Sequence, residues 1–269
     1  MKVLLSVNKK FYEVNMKTLF DLIDFKDINK AVGGMELNIS SLSKYERDLA
    51  KDIAKKLKKR NLKLQIHGNM LSENVLEIYE YLKLYNELAK IMEDKIKIVY
   101  HPYKDESKEN IIYKTTVILK RLNKNIEDFK YNIELSIENL EDVENVKNLK
   151  IDELSGIIDK VKNVKITYDI GHMVLENKNP YTISEKIYSK ITNVHIHDIS
   201  ASNIAHYPFS CGKVDLKATM VFLKKIKYTG DIVAEIALDY LQGITYEEKL
   251  DAYLKEVENI KTNKDKYFV

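Results

Sequence analysis

Tryptophan is absent from this 269-residue chain, cysteine occurs once, proline three times and glycine eight times. The lone Cys211 excludes a disulfide framework within the chain and points to a reducing compartment. So few glycines leave no glycine-rich turn of the kind that cradles a dinucleotide or a nucleotide phosphate. No Pro-, Gly- or Ser-rich stretch divides the chain, so one domain over residues 1–269 is expected. No apolar run approaches the roughly 18 residues needed to cross a bilayer. The apolar run that opens the chain is too short for a signal-peptide core. A soluble, cytoplasmic protein with no membrane partner is expected.

Arginine is scarce as well: only Arg47, Arg60 and Arg121 occur, and the rest of the 44 basic residues are lysine. Against 41 acidic residues they leave a net charge of +3, which does not announce a nucleic-acid binder. Heavy use of Lys and Glu fits a thermophile's composition. At 45% apolar and 32% charged, the chain can bury a large core, which excludes disorder and fibrous classes.

What is present is alternation. Runs of strand length and β-rich composition fall at Val3–Val7, Met35–Ile39, Leu62–His67, Lys95–His101, Asn132–Glu138, Val164–Asp169, Ile191–His197 and Ile232–Ile236. Amphipathic helical patterns lie between them. Tyr45–Leu57 aligns Leu49, Ile53, Ala54 and Leu57, and Asn74–Met92 aligns Leu76, Tyr79, Leu82 and Leu88. Leu216–Ile226 carries Met220, Leu223 and Ile226 behind Asp215 as N-cap, and Tyr246–Ile260 carries Leu250, Tyr253, Leu254 and Val257. Segments 17–24, 108–122, 150–161 and 182–189 also read as helices. Strict alternation implies parallel strands with right-handed crossovers, and eight such units close into an α/β barrel, a single (β/α)8 TIM barrel.

All six histidines, at 67, 101, 172, 195, 197 and 206, end a predicted strand or lie in the loop after one. Strand C-termini of such a barrel converge on one face, where active sites sit. Carboxylates occupy equivalent places: Glu138, Asp169, Asp198 and Glu235. Glu235 is flanked by Val233, Ala234, Ile236 and Ala237. A carboxylate buried there needs pairing or a cation. Strand periodicity puts His195 and His197 on one face, and Glu134, Ser136 and Glu138 on another that turns to the barrel axis. Glu138, Asp169, His195 and Glu235 therefore form a candidate four-ligand metal site, oxygen-rich enough for Mn²⁺, Mg²⁺ or Co²⁺ and open to zinc. His67 and His101 could complete a second site bridged by Glu138, and that one would favour zinc. His197 and Asp198 are read as residues that orient ligands from behind. Glu134 is expected to pair with Lys97 or Lys63. Glu36 and Asn38 rank behind the others, and Glu141–Glu144 and Lys55–Lys59 read as solvated faces.

These motifs resemble the xylose isomerase-like TIM-barrel superfamily, which includes sugar-phosphate isomerases and epimerases and the endonuclease IV family of AP endonucleases. The densest match is Val194-His195-Ile196-His197-Asp198, followed by His206, Pro208, Gly212 and Val214-Asp215, with Ser210 where the family's loop usually has its first glycine. Asp169-x-x-His172 and Glu138-Asn139 resemble the strand-six and strand-five signatures. The resemblance implies metal ligation by Glu138, Asp169, His195 and Glu235, and zinc on His67 and His101 in endonuclease-like members. The third zinc of those members implies His172, His206 and an aspartate two residues before the latter, where this chain has Ile204.

Three functions stay open at this level. A divalent-metal-dependent isomerase or epimerase of a small sugar or sugar phosphate would use Glu138 and Glu235 as base and acid, with His172 and His206 on substrate hydroxyls. A zinc-dependent AP endonuclease would use His67 and His101. Its basic, intercalating loops are missing from Asn8-Lys9-Lys10, Ser40-Ser41 and Gly68-Asn69-Met70. A non-catalytic metal- or sugar-binding barrel is the third. One or two metal ions per chain and a possible oligomer are expected.

Overall fold

Each of the eight apolar runs forms a strand: β1 Val3–Val7, β2 Gly34–Asn38, β3 Lys63–Met70, β4 Ile96–His101, β5 Ile133–Glu138, β6 Val164–Asp169, β7 Ile191–Ile196 and β8 Asp231–Ala234. In the computed structural model, residues 1–8, 19–24, 28–142, 147–209 and 212–268 are described. Lys9, Lys10, Glu144, Ser210, Cys211 and the start of the expected 17–24 helix lie outside them. Every strand pairs in parallel with its sequence neighbour, and β1 pairs with β8 at Val3↔Ile232 and Leu5↔Ala234, so the barrel is closed. The chain is thus an eight-stranded parallel barrel with interleaved helices.

The helices cover the barrel with the faces that the periodicity picks out. Helix α3 (Lys44–Lys59) buries Leu49, Ile53, Ala54 and Leu57, and the Ser43 side chain caps it by accepting from the Glu46 N–H. Helix α4 (Val75–Met92) buries Leu82 and Leu88, but Leu76 is 77% exposed and lies off the buried face. Helix α5 (Lys108–Asp128) runs a turn and a half past the expected end. Helix α9 (Leu216–Lys225) begins at Asp215, which accepts from the Ala218 N–H at 3.0 Å. The helical residues 19–24 are α1; the short helices are α2 (Ile28–Ala31), α6 (Ile151–Ile158), α7 (Ile170–Leu175) and α8 (Glu185–Tyr188). No helix among the described residues is long and apolar enough to cross a membrane.

The barrel interior is unusually polar. Outward residues such as Ile133, Leu135 and Ile137 are buried under the helices, while Ser136 and Thr167 share a 2.7 Å hydrogen bond. At the N-terminal end Lys63 meets Asp231 at 2.6 Å and Lys97 meets Glu134 at 3.6 Å, which answers the expectation for Glu134. Helix α10 (Tyr246–Tyr267) lies over the seam where the barrel closes. Its Tyr253 hydroxyl donates to the Ala234 carbonyl (2.5 Å) and accepts from the Ile236 N–H (3.1 Å), tying the last strand to the helix. Tyr253→Phe leaves that N–H buried without a partner and should cost about 1–3 kcal/mol in denaturant unfolding. An unchanged midpoint would show that the seam does not depend on this hydroxyl.

Candidate metal centre

Four consecutive strands deliver the four expected ligands to the open end of the barrel. Glu138 ends β5, Asp169 ends β6, His195 lies in β7 and Glu235 directly follows β8. One ligand-capable atom from each lies within 4.8 Å of all the others. His195 Nδ1 is 2.9 Å from Glu138 Oε1 and 2.9 Å from Glu235 Oε2. Glu138, Asp169 and His195 are fully buried. His67, His101 and Glu138 form a second such group. There Glu138 Oε2 is 3.2 Å from His101 Nε2 and 3.6 Å from His67 Nε2.

The donor set fits a divalent cation. Glu138 Oε2 and Asp169 Oδ2 are buried oxygens without a hydrogen bond. Such oxygens are costly unless a cation meets them. Ligand bonds of about 2.0–2.4 Å need only a small contraction of the present spacing.

Residues behind the candidate ligands fix their aim. Asn139 pairs with the Asp169 backbone in both directions, accepting its N–H at 2.9 Å and donating to its carbonyl at 3.0 Å. The Asp169 carboxylate accepts from the His172 N–H at 2.8 Å, so it caps α7. His197 Nδ1 accepts the His206 N–H at 3.0 Å, and its Nε2 lies 3.3 Å from Asp169 Oδ1. The Asp198 carbonyl is also near that Nδ1, at 3.1 Å, but it already accepts from the Tyr207 N–H. The proton of His197 therefore belongs on Nε2, facing Asp169. A Cβ on Gly171 would come within 2.1 Å of the His197 ring, so only glycine lets this imidazole reach the aspartate. Asp198 sits further back, where its carboxylate accepts the N–H groups of Ile199 (2.8 Å) and Val214 (3.0 Å) and holds the following loop.

His172, His197 and His206 also lie together. Ile204 is 42% exposed and brings no carboxylate to them. His172 Nε2 is 3.6 Å from Asp169 Oδ2, and its Nδ1 is 2.5 Å from Glu141 Oε2. Glu141 is thus not on a solvated face, as its acidic run suggests, but bound to an imidazole. His206 has a left-handed backbone (φ 59°), and its Nδ1 is 3.1 Å from the Glu235 carbonyl. Ser6, Asn38, His67, His206 and Glu235 line a cavity of about 140 Å³ over the centre.

Glu36 on β2 is the residue that sequence reasoning underrates. It is fully buried, and its Oε2 lies 3.1 Å from His195 Nε2. Its signal was a carboxylate between Met35 and Leu37, the same signal that singled out Glu235.

Burial disfavours the charged imidazolium of His67, but the neighbouring carboxylates of Glu138, Glu235 and Glu36 outweigh it and push its pKa up to about 9. His172 is likewise opposed by burial, yet Asp169 and Glu141 push it up to about 10. Burial pulls His206 down, and the neighbouring His197 and His172 add to that. Burial also opposes ionisation of Glu138 and Glu235, but His195 beside both holds them below the usual carboxylate range. His67 and His172 bind their protons more tightly folded than unfolded. Their contribution to stability is complete below about pH 6.5 and is lost as pH rises through about 9 to 10. The melting temperature of the metal-free protein should therefore fall between pH 7 and pH 10. Scanning calorimetry would test this, and a flat profile would contradict the ion-pair description.

Residues 26–262 match a family described as xylose isomerase-like TIM barrel. An uncharacterised protein of Methanocaldococcus jannaschii, MJ1311, is 28% identical over 141 residues, 51% of this chain. The match spans only 47% of that relative's length. Among solved structures, a D-tagatose 3-epimerase-like protein superposes with a TM-score of 0.73 at 18% identity, covering 99% of this chain and 98% of the other. The IolI protein with a bound zinc atom gives a TM-score of 0.71 at 18% identity, over 100% and 99%. These two likenesses establish the fold.

Proposed function

The chain belongs to the xylose isomerase-like TIM-barrel family, and we propose on that premise that it is a divalent-metal-dependent isomerase or epimerase of a small sugar or sugar phosphate. The reaction moves a proton beside a carbonyl through an enediolate. The observation that carries the reading is the pairing of Glu138 and Glu235 on one imidazole nitrogen, 2.9 Å from each. Two carboxylates held on one imidazole, with Glu235 lining the small cavity and Glu138 buried behind it, can serve one reacting carbon as base and acid. The sugar epimerase fold of the structural relatives agrees with this chemistry.

A divalent cation held by Glu138, Asp169, His195 and Glu235 would supply a Lewis acid for the carbonyl and its neighbouring hydroxyl. The protein does the rest. Each glutamate has two oxygens, so one can bind while the other handles a proton. Glu138 and Glu235 remove the proton and return it. His172, oriented by Glu141, and His206, oriented by the Glu235 carbonyl, hold substrate hydroxyls. Burial of Glu138 and Asp169 keeps bulk water from the reacting carbon.

The His67–His101–Glu138 group favours a second reading, a zinc-dependent AP endonuclease acting on DNA. Ile204 stands against it. One experiment separates the two. The manganese-loaded protein is incubated with a panel of ketoses and their phosphates in deuterium oxide, and in parallel with a duplex bearing one abasic site. Deuterium should enter a ketose beside its carbonyl, and Glu138→Gln or Glu235→Gln should slow this by about 10²–10⁴-fold. Chelator-sensitive incision without sugar exchange would replace the isomerase reading by the nuclease. Neither activity in metal-loaded protein would leave the non-catalytic barrel.

A further inference from the structure

Imidazole offers two nitrogens, and a metal takes one of them. The other then carries a proton that needs an acceptor. The surroundings of His195 differ sharply on its two sides. Nδ1 faces Glu138 and Glu235 at 2.9 Å each and belongs to the group that also holds Asp169. Nε2 faces Glu36 Oε2 at 3.1 Å.

Glu36 is hard to explain as packing. It is fully enclosed, and its Oε1 has no hydrogen-bond partner. The Asn193 amide lies at 3.5 Å from Oε2, a weak contact. Among the described residues, its ion pairing is with His195. A carboxylate is costly in such a place unless it does something for that imidazole.

Two roles compete. Glu36 could bind a metal itself, since it forms a ligand-capable group with His67 and His195. Against this, the Nε2 side of His195 offers one carboxylate, whereas the Nδ1 side offers two at 2.9 Å, from a group that also holds Asp169. A divalent cation prefers the more anionic side. We propose that Glu36 is a positioning residue: it accepts the Nε2–H of His195 and so commits Nδ1 to the divalent cation beside Glu138, Asp169 and Glu235. The proposal rests on the metal reading given above and adds to it the residue that selects the nitrogen. Glu36 comes from β2 and His195 from β7, so the pairing crosses the barrel and stops the ring from turning over.

The test uses zinc and a chain labelled with ¹⁵N-histidine. Zinc affinity is measured by competition with a chromophoric chelator, and long-range ¹H–¹⁵N spectra show which ring nitrogen is bound and which is protonated. The His195 signals are assigned by their loss in His195→Asn. In the unsubstituted protein Nδ1 should be metal-bound and Nε2 protonated. Glu36→Gln keeps the shape and a weaker acceptor, and zinc affinity should fall by about 10-fold. Glu36→Leu removes the acceptor, and affinity should fall by about 100-fold with loss of the single bound form. Melting curves of both variants show whether the fold survives. If the leucine variant does not fold, the glutamine variant alone decides. Unchanged affinity with Nδ1 still bound would overturn the proposal. So would a metal-bound Nε2, which would make Glu36 a ligand. Failure of the unsubstituted chain to take up zinc or manganese would remove the metal reading itself, and that result appears before any variant is made.

Discussion

One imidazole among three carboxylates organises the C-terminal end of this barrel. His195 touches Glu138 and Glu235 through one nitrogen and Glu36 through the other, with all contacts at 2.9–3.1 Å. Burial opposes a charge on this ring, but the acids around it, Glu138, Glu36 and Glu235, raise its pKa well above the usual value. A divalent cation in place of the Nδ1 proton would take that nitrogen as a ligand and raise the positive charge facing these carboxylates by one.

The two ends of the barrel solve the same problem in different ways. At the N-terminal end, buried and half-buried acids meet lysines, as in Lys63–Asp231 and Lys97–Glu134. An ammonium has no lone pair to offer a metal, so these pairs act as supports and not as ligand sets. At the C-terminal end, Glu36, Glu138, Asp169 and Glu235 are paired, among the described residues, with histidines alone. Histidine can give its charge up. That choice makes the centre receptive to a metal and also leaves the metal-free protein sensitive to pH.

Much of this was readable along the chain. The eight strands fall close to the apolar runs, and the four candidate ligands lie at or beside the strand ends. What escaped local reading depends on partners far away in sequence. Glu36 looks minor in Gly-Met-Glu-Leu-Asn until β7 is brought opposite it, 159 residues later. Glu141 looks solvated in its acidic run until His172 reaches it across α7. Leu76 fits the apolar period of α4, but it lies at the helix start, beyond the barrel surface that would cover it. Helix α7 is too short to show a period, and its existence follows from the Asp169 cap.

The central claim is that Glu138, Asp169, His195 and Glu235 hold one divalent cation. Anomalous diffraction from crystals grown with manganese tests it most directly. The account predicts a peak about 2.0–2.4 Å from one atom of each of the four residues, with His195 contributing Nδ1. A manganese peak bound elsewhere, or none while the four side chains keep their contacts, would contradict it.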